Sequence, residues 1–418
     1  MSQDHTGTAE LLRFGADYLT ANYRQQPIVL VRGQGCEVWD SEGRRYLDLT
    51  AGIAACPLGH GHAALARAIG EQAQRLIHVS NLFYNEPQLR LAAQLCRSVE
   101  AALGPARAFF CNSGAEANEA AVKLAKRYQH EVVGEKHRAL VLAFEGSFHG
   151  RTIATVALTG QEKYRSGFGP LVEWARHLPW PSSADDRAVL DRITPEVCAV
   201  IIEPIQAEGG IRTPPPGFLR ALRQRCDETG VVLIFDEVQT GIGRTGTMWG
   251  FQSCSPEDGV VAPDVLSSAK GLGGGVPIGA IVARDAVAKA FTPGSHASTF
   301  GGNPLATAAA LCVLHELDGG LLENTRARGA QLQAGLARLV EEHGPLAVAP
   351  RGRGLLQGLQ LSGDATPVVG ACRERGLLLS VAGGTVVRFA PPLLVSAAEI
   401  DEGLRILRDA LQAQRRAS

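Results

Sequence analysis

Lys270 stands in the run Pro263-Asp-Val-Leu-Ser-Ser-Ala-Lys270-Gly-Leu-Gly-Gly-Gly275, a single lysine among small, apolar and glycine residues. An ammonium held there loses solvation, so its neutral form gains, and a neutral amine can condense with an aldehyde to a Schiff base. Upstream, Val231-Val-Leu-Ile-Phe235 reads as a buried strand running straight into Asp236-Glu237-Val238-Gln239. A carboxylate at a strand end and a desolvated lysine are the two groups that pyridoxal phosphate requires most of a protein. One pairs with the ring nitrogen and the other carries the aldehyde. Taken alone, Lys270 would equally suit a solvated surface loop; the other motifs decide against that.

Cys111-Asn-Ser113-Gly114-Ala115-Glu-Ala-Asn-Glu joins a strand to a helix. The first amides of such a helix are free and its end is partly positive, which makes a phosphate seat, although an ordinary Asn/Ser cap has the same letters. In Glu145-Gly-Ser-Phe148-His149-Gly-Arg151, the ring of Phe148 could stack on a planar cofactor and Arg151 could grip a carboxylate. As isolated residues they would read as core and solvent. Val238 could cover the ring face opposite Phe148, and Gln239 could donate to the ring hydroxyl. The loop Ser295-His-Ala-Ser298-Thr299-Phe-Gly-Gly-Asn-Pro304 offers further hydroxyl and amide donors, or is a plain connecting turn.

The elements that must position these groups alternate. Strand-length apolar runs lie at Ala106–Cys111, Arg138–Phe144, Cys198–Ile202, Val231–Phe235 and Ile278–Ala283. Helical spacing marks Ala64–Leu76, Gln88–Glu100, Ala115 to about Tyr128, and Phe218–Thr229. Near-continuous apolar strands separated by helices predict an α/β fold with a mainly parallel sheet covered on both faces, whose ligands gather beyond the carboxyl strand ends. From about Glu323 the texture changes to a helix over Asn324–His343, short strands and a closing helix over Ala397–Gln412, a smaller α+β unit. The first sixty residues are hairpin-like (Val29–Arg32, Glu37–Asp40) and poor in long helix. The expected organisation is therefore 1–62 packing with the small unit, a large cofactor-binding domain over 63–322, and a small domain over 323–418. Residues 1–8 and 413–418 are expected to fray.

At 418 residues, 45% hydrophobic and 20% charged, the chain has the composition of a globular protein with a sizeable core. A net charge of −1 gives no reason to expect nucleic acid or a membrane surface as partner. No uninterrupted apolar run approaches the roughly 18 residues of a membrane span. The start, Met1-Ser-Gln-Asp-His-Thr-Gly-Thr, has neither basic region nor apolar core. The 9 cysteines never form a Cys-x-x-Cys pair, which predicts reduced thiols in a cytoplasmic protein.

Rival chemistries lack their motifs. A nicotinamide dehydrogenase would need Gly-x-Gly-x-x-Gly after an early strand, and Gly352-Arg-Gly354 continues to Gln357 without the third glycine. No Gly-Lys-Ser/Thr supports a nucleotide hydrolase. His60-Gly-His62 has no acidic or cysteine cluster beside it, so no metal site is expected. A non-catalytic, partner-binding relative would be expected to have lost the lysine or the aspartate, and both are present.

Six motifs in this order resemble the class III aminotransferases, the ornithine/acetylornithine/4-aminobutyrate group of pyridoxal phosphate enzymes. They are Asn112-Ser-Gly-Ala-Glu-Ala-Asn118, Ser147-Phe-His-Gly-Arg151, Glu203-Pro-Ile-Gln-Ala-Glu208-Gly-Gly, Phe235-Asp-Glu-Val-Gln-Thr-Gly-Ile-Gly-Arg-Thr-Gly246, Ser268-Ala-Lys-Gly-Leu-Gly-Gly-Gly275 and Thr299-Phe-Gly-Gly-Asn-Pro304. The resemblance covers about Tyr23 to Leu411. It implies the transferase fold type I, with a seven-stranded-type sheet in the large domain, and a homodimer with active sites at the interface.

Ala51-Gly-Ile-Ala54, Leu58-Gly-His60, Ser80-Asn-Leu-Phe-Tyr-Asn-Glu-Pro87 and Gly150-Arg151 are most similar to the branch that uses acetylornithine. By that similarity Ser113, Gly114, Ala115, Phe148, Asp236, Val238, Gln239, Lys270 and Thr299 contact the cofactor, with Thr299 reaching the partner subunit's phosphate. Arg151 and Ser298 contact the acetylated substrate. Arg388, in Val387-Arg-Phe-Ala-Pro-Pro392, binds the α-carboxylate of glutamate, and Glu208 masks it for the other substrate. Lys270 is the general base and acid, and Asp236 keeps the ring nitrogen protonated. The implied reaction takes N2-acetylornithine and 2-oxoglutarate to N-acetylglutamate 5-semialdehyde and glutamate, in arginine biosynthesis. Ornithine, succinylornithine, N-succinyl-diaminopimelate and 4-aminobutyrate are the alternative donors. The chain departs from the family pattern at Cys56-Pro57, near the expected substrate entrance, and in an extended Ser253-Cys-Ser-Pro-Glu-Asp-Gly-Val-Val stretch.

Overall fold

The computed structural model describes residues 7–253 and 259–417. Strands β1 (Leu30–Gln34), β2 (Glu37–Asp40) and β3 (Arg45–Asp48) form an antiparallel meander. A helix the sequence reading missed, Thr8–Tyr18, precedes it, and none of its residues is buried.

Seven strands build the central sheet: β4 (Ala106–Cys111), β5 (Leu140–Phe144), β6 (Ala175–Leu178), β7 (Val197–Ile202), β8 (Val232–Asp236), β9 (Val265–Ser268) and β10 (Gly279–Arg284). Their order is β4-β10-β9-β8-β7-β5-β6. All neighbouring pairs are parallel except those made by β10, which runs antiparallel to both β9 and β4. Every residue of β7 and β8 is buried, as continuous apolar strands covered on both faces require. Helices Glu86–Leu103, Gly114–Arg127 and Phe218–Thr229 bury their apolar stripes in this unit. Strands β6 and β9 escaped the sequence reading: β6 is a four-residue edge strand with half its residues polar, and β9 ends in two serines.

The C-terminal part adds β11 (Ala347–Arg353), β12 (Leu356–Leu361), β13 (Leu377–Leu378), β14 (Ser380–Ala382) and β15 (Val386–Phe389). Four of these form a sheet in the order β11-β12-β15-β14, while β13 leaves it to pair in parallel with β3. Ala390 N also donates to Leu49 O, and Leu393 N to Pro57 O. The N-terminal meander and the C-terminal unit are thus stitched through backbone bonds. Helix Leu322–His343 leads into this unit. The closing helix runs Ala397–Ala417, so residues 413–417 continue a helix instead of fraying; residues 1–6 and 418 lie outside the described residues. Taken together, the helical stretch Pro304–His343 is long and apolar enough to cross a membrane, yet its first helix buries Ala306, Ala309, Ala310 and Val313 in the core.

One local feature bears on the site. Residues Ala51, Gly52, Ile53 and Ala54 all have positive φ (46°, 63°, 60° and 64°), a left-handed turn that costs about 1–2 kcal/mol for each non-glycine residue. Asp48 holds it in place: one carboxylate oxygen accepts from Thr50 N at 2.9 Å, Thr50 Oγ1 at 2.8 Å and Ala51 N at 3.0 Å. The other oxygen meets His60 Nε2 at 2.8 Å, and His62 caps the helix Ala63–Arg75, so both loop histidines are spent on structure. Ala55, the next residue after this turn, reaches the cavity described below.

Candidate active site

Asp236 is the last residue of β8, buried between the parallel neighbours β7 and β9. Its Oδ2 receives Asn118 Nδ2 at 2.7 Å and His149 Nδ1 at 2.8 Å, and its Oδ1 receives Val238 N at 3.1 Å. Pairing with a carboxylate puts the imidazole proton on Nδ1. His149 Nε2 is then a buried acceptor with no partner among the described residues. Asn118 also donates to His149 O at 2.8 Å and accepts from Ser267 Oγ at 2.6 Å, so its amide is fully committed to orienting this cluster. It lies one helical turn after Gly114, on the face the helix turns to the sheet.

Lys270 follows β9 across Ala269 and opens a short 3-10 turn with φ of 41°. A left-handed lysine is strained, and the chain accepts that cost where the side chain must enter the site. Burial pulls the Lys270 ammonium below the ordinary lysine pKa, opposed first by the charge of Glu208 and then, more weakly, by those of Asp236 and Glu203. Lys270 and Asp236 line one cavity of about 380 Å³. Ser113, Gly114 and Ala115 line it as well, as do Phe148, Arg151, Val238 and Gln239. Nine of the thirteen expected site residues therefore converge on one space.

The helix Gly114–Arg127 opens at that cavity. Ser113 Oγ caps it by accepting Glu116 N at 3.2 Å, so the capping role weighed from the sequence is realised. The amides of Gly114 and Ala115 have no acceptor within the helix and remain as anion donors. A Cβ on Gly114 would stand 2.8 Å from Val238 Cγ1, so the helix start packs directly against the residue expected to cover one ring face.

Four expected site residues do not line the cavity. Arg388, buried on β15, donates through Nη1 to Glu208 Oε1 at 2.5 Å and to Gln239 Oε1 at 3.2 Å, and through Nε to Ser380 Oγ at 3.0 Å. Gln239 Nε2 in turn lies 3.4 Å from Glu208 Oε1. In this structure Gln239 thus serves the ion pair, where the sequence reading had given it to a ring hydroxyl. Ser298 Oγ accepts from Asn112 Nδ2 at 3.2 Å and from Gly301 N at 3.0 Å, which fixes the loop. Thr299 is exposed and outside its own chain's cavity. Cys56, a departure from the family pattern, borders the glycines after Lys270: a Cβ on Gly275 would lie 3.4 Å from its Sγ. Residues 254–258 of the other departure fall outside the described residues.

The sequence reading missed Asn118, His149, Glu203 and Ser267 as individual site residues. Glu203 directly follows β7 as Asp236 ends β8, so the strand-end rule itself would have found it. Glu203 lines the cavity and accepts Phe148 N at 3.1 Å. Burial, reinforced by the charge of Asp236, pushes its carboxyl well above the usual range.

These groups fit pyridoxal phosphate. The cavity offers a desolvated lysine, a buried carboxylate held by three donors, free helix-start amides, and an aromatic and an aliphatic side chain for the ring faces.

The aminotransferase class-III family model matches residues 18–411, and the chain belongs to that family. Pyridoxal phosphate is the cofactor of the family, and the chain is an aminotransferase. Among characterised sequences it is 50% identical over 401 residues to the acetylornithine aminotransferase of Thermosynechococcus vestitus, covering 94% of each chain. With that of Gloeobacter violaceus it shares 52% over 387 residues, 92% of this chain and 93% of the relative. The solved N-acetylornithine aminotransferase of Stenotrophomonas maltophilia superimposes with a TM-score of 0.81 at 37% identity, over 97% of this chain and 100% of the other. The ornithine aminotransferase of Toxoplasma gondii gives 0.90 at 32% identity, over 99% and 97%.

Proposed function

We propose that the chain transfers the terminal amino group of N2-acetylornithine to 2-oxoglutarate, giving N-acetylglutamate 5-semialdehyde and glutamate, a step of arginine biosynthesis. The observation that carries this reading is the convergence of desolvated Lys270, strand-end Asp236 and Arg151 on one cavity. The similarity to acetylornithine aminotransferases over more than nine-tenths of the chain supports the donor.

When bound, pyridoxal phosphate supplies an aldehyde for the amine and an electron sink for the carbon that loses its proton. The protein's own contributions follow from placement. Lys270 would hold the cofactor through its Nζ and, once free, would serve as the base and acid that moves a proton at the substrate carbon. Burial lowers its pKa, which favours the neutral amine that this task needs. Asp236, anchored by Asn118 and His149, would keep the ring nitrogen protonated. Ser113, Gly114 and Ala115 would seat the phosphate and Phe148 and Val238 would enclose the ring, while Gln239, bonded here to Glu208 and Arg388, would have to turn from that pair to donate to a ring hydroxyl. Arg151, with Ser298, takes the acetylated substrate. Arg388 takes the α-carboxylate of glutamate once Glu208 releases it.

The exposed Thr299 and the apolar surface of Leu82, Phe83, Tyr84 and Phe300 suit a homodimer in which Thr299 would complete the partner's phosphate site, and cysteines without a Cys-x-x-Cys pair suit a cytoplasmic setting. The chain divides at 62/63 and 322/323, with the N-terminal segment joined to the small domain through the pairing of β3 with β13. Borohydride reduction of the cofactor-loaded protein, followed by peptide mapping, tests the chemical centre. Label on Lys270 is expected; label on another lysine would overturn the assignment.

A further inference from the structure

The two arginines of the site are held in opposite ways. Arg388 is buried, and its guanidinium is committed to Glu208, Gln239 and Ser380. Arg151 lies on the open side of the cavity and makes no hydrogen bond or ion pair among the described residues. It is nonetheless placed: its guanidinium carbon lies 4.0 Å from the centroid of the Tyr164 ring and 5.4 Å from that of Phe148. Tyr164, on the short helix Glu162–Arg165, also meets Phe148 edge-on, with centroids 5.4 Å apart and planes at 81°. One tyrosine therefore touches both the ring-stacking residue and the carboxylate grip.

The physical consequence lies in which part of the guanidinium is used. Contact with an aromatic face engages the flat cation through its π surface and leaves the five in-plane N–H donors free. A carboxylate partner would fix Arg151 equally well, but would consume the fork that a substrate needs. Lys163 Nζ, 4.7 Å from the same centroid, is a second cation against this tyrosine. The preceding Gly150, with φ of 135°, supports the arrangement: a Cβ there would meet Thr155 Oγ1 at 2.6 Å and Ala115 Cβ at 2.7 Å. The backbone feeding Arg151 is thereby packed against the helix that opens the phosphate seat.

We propose that Tyr164 is a specificity-determining positioning residue: it holds Arg151 with all its donors uncommitted, and so selects donors that carry a carboxylate remote from the reacting amine. The proposal rests on the reading of Arg151 as the carboxylate grip. Tyr164 touches the arginine and the stacking ring and takes no part in proton transfer.

The test compares wild type, Tyr164→Leu, Tyr164→Phe and Arg151→Ala as cofactor-loaded enzymes, with N2-acetylornithine and with the carboxylate-free amine 1-aminopentane. Tyr164→Leu is expected to raise KM for N2-acetylornithine roughly 3- to 30-fold, the range set by a cation–π contact, while kcat and the rate with 1-aminopentane stay near wild type. Tyr164→Phe keeps the aromatic face and is expected to restore the wild-type KM. A loss equal for both amines, or a phenylalanine variant as impaired as the leucine one, would overturn the selective role. If Arg151→Ala raises KM for N2-acetylornithine but Tyr164→Leu does not, this proposal alone fails. If Arg151→Ala leaves that KM unchanged, the grip fails and the proposal falls with it.

Discussion

Arg388 and Glu208 meet at 2.5 Å, with the arginine side chain almost wholly enclosed and the glutamate partly open, and Gln239 touches both. The charge of Arg388 holds the Glu208 carboxyl below the usual range despite its burial. The pair is thus ionised at neutral pH, and the arginine is masked at rest. A pocket that takes an amine far from a carboxylate in one half-reaction, and an α-amino acid in the other, needs this charge hidden and then exposed. Glu208→Ala is therefore expected to raise the single-turnover rate with glutamate while sparing or lowering that with N2-acetylornithine. Arg388→Ala should damage the glutamate half on the order of 10- to 100-fold more than the acetylornithine half, the scale of one charge-assisted hydrogen bond. If both variants lose both halves equally, the ion pair is a fixed structural element.

Asp236→Ala is expected to fold, because β8 is held by its ladders and apolar neighbours, yet to lose nearly all turnover. The lost charge-assisted bond is worth about 1.5–3 kcal/mol, and the lost protonation of the ring nitrogen adds to that. Activity close to wild type would mean that no ring sits over this strand end.

Glu237, the next residue, gives a pH signature. It is fully buried, and its carboxylate accepts Thr240 Oγ1 at 2.5 Å, Gly250 N at 2.8 Å and Phe251 N at 2.7 Å. Burial outweighs these donors and pushes its carboxyl up to about 7. The sign follows from proton binding: between the ordinary carboxylate pKa and about 7, the folded chain keeps the proton while the unfolded chain has lost it. This group therefore removes stability as pH rises through that window, on the order of 3 kcal/mol by its upper end. Urea unfolding at pH 5 and pH 8 should show a wild-type loss that is smaller in Glu237→Gln. An identical pH dependence in both proteins would contradict the assignment.

Much of this was legible in the sequence for a physical reason. Continuous apolar strands such as Cys198–Ile202 and Val231–Phe235 carry their own signal, and the residues just beyond them define where chemistry gathers. Asp236 and the Ser113–Ala115 turn were found in this way, and Lys270 from the small, apolar and glycine residues around it. Partners across the fold were not legible, because no spacing along the chain foretells that Asn118, His149 and Asp236 share one carboxylate oxygen. Gln239 shows the same limit: its type fitted a ring hydroxyl, while its folded neighbours are Glu208 and Arg388. Strand β9 hid behind its two serines, and the helix Thr8–Tyr18 lies on the surface with no buried stripe to announce it.

The choice of amino donor is tested most directly by kcat/KM, with 2-oxoglutarate as acceptor, for five donors run side by side: N2-acetylornithine, succinylornithine, ornithine, N-succinyl-diaminopimelate and 4-aminobutyrate. The highest value is expected for N2-acetylornithine, with the free amino acid ornithine well below it. A higher value for ornithine or 4-aminobutyrate would overturn N2-acetylornithine as the donor.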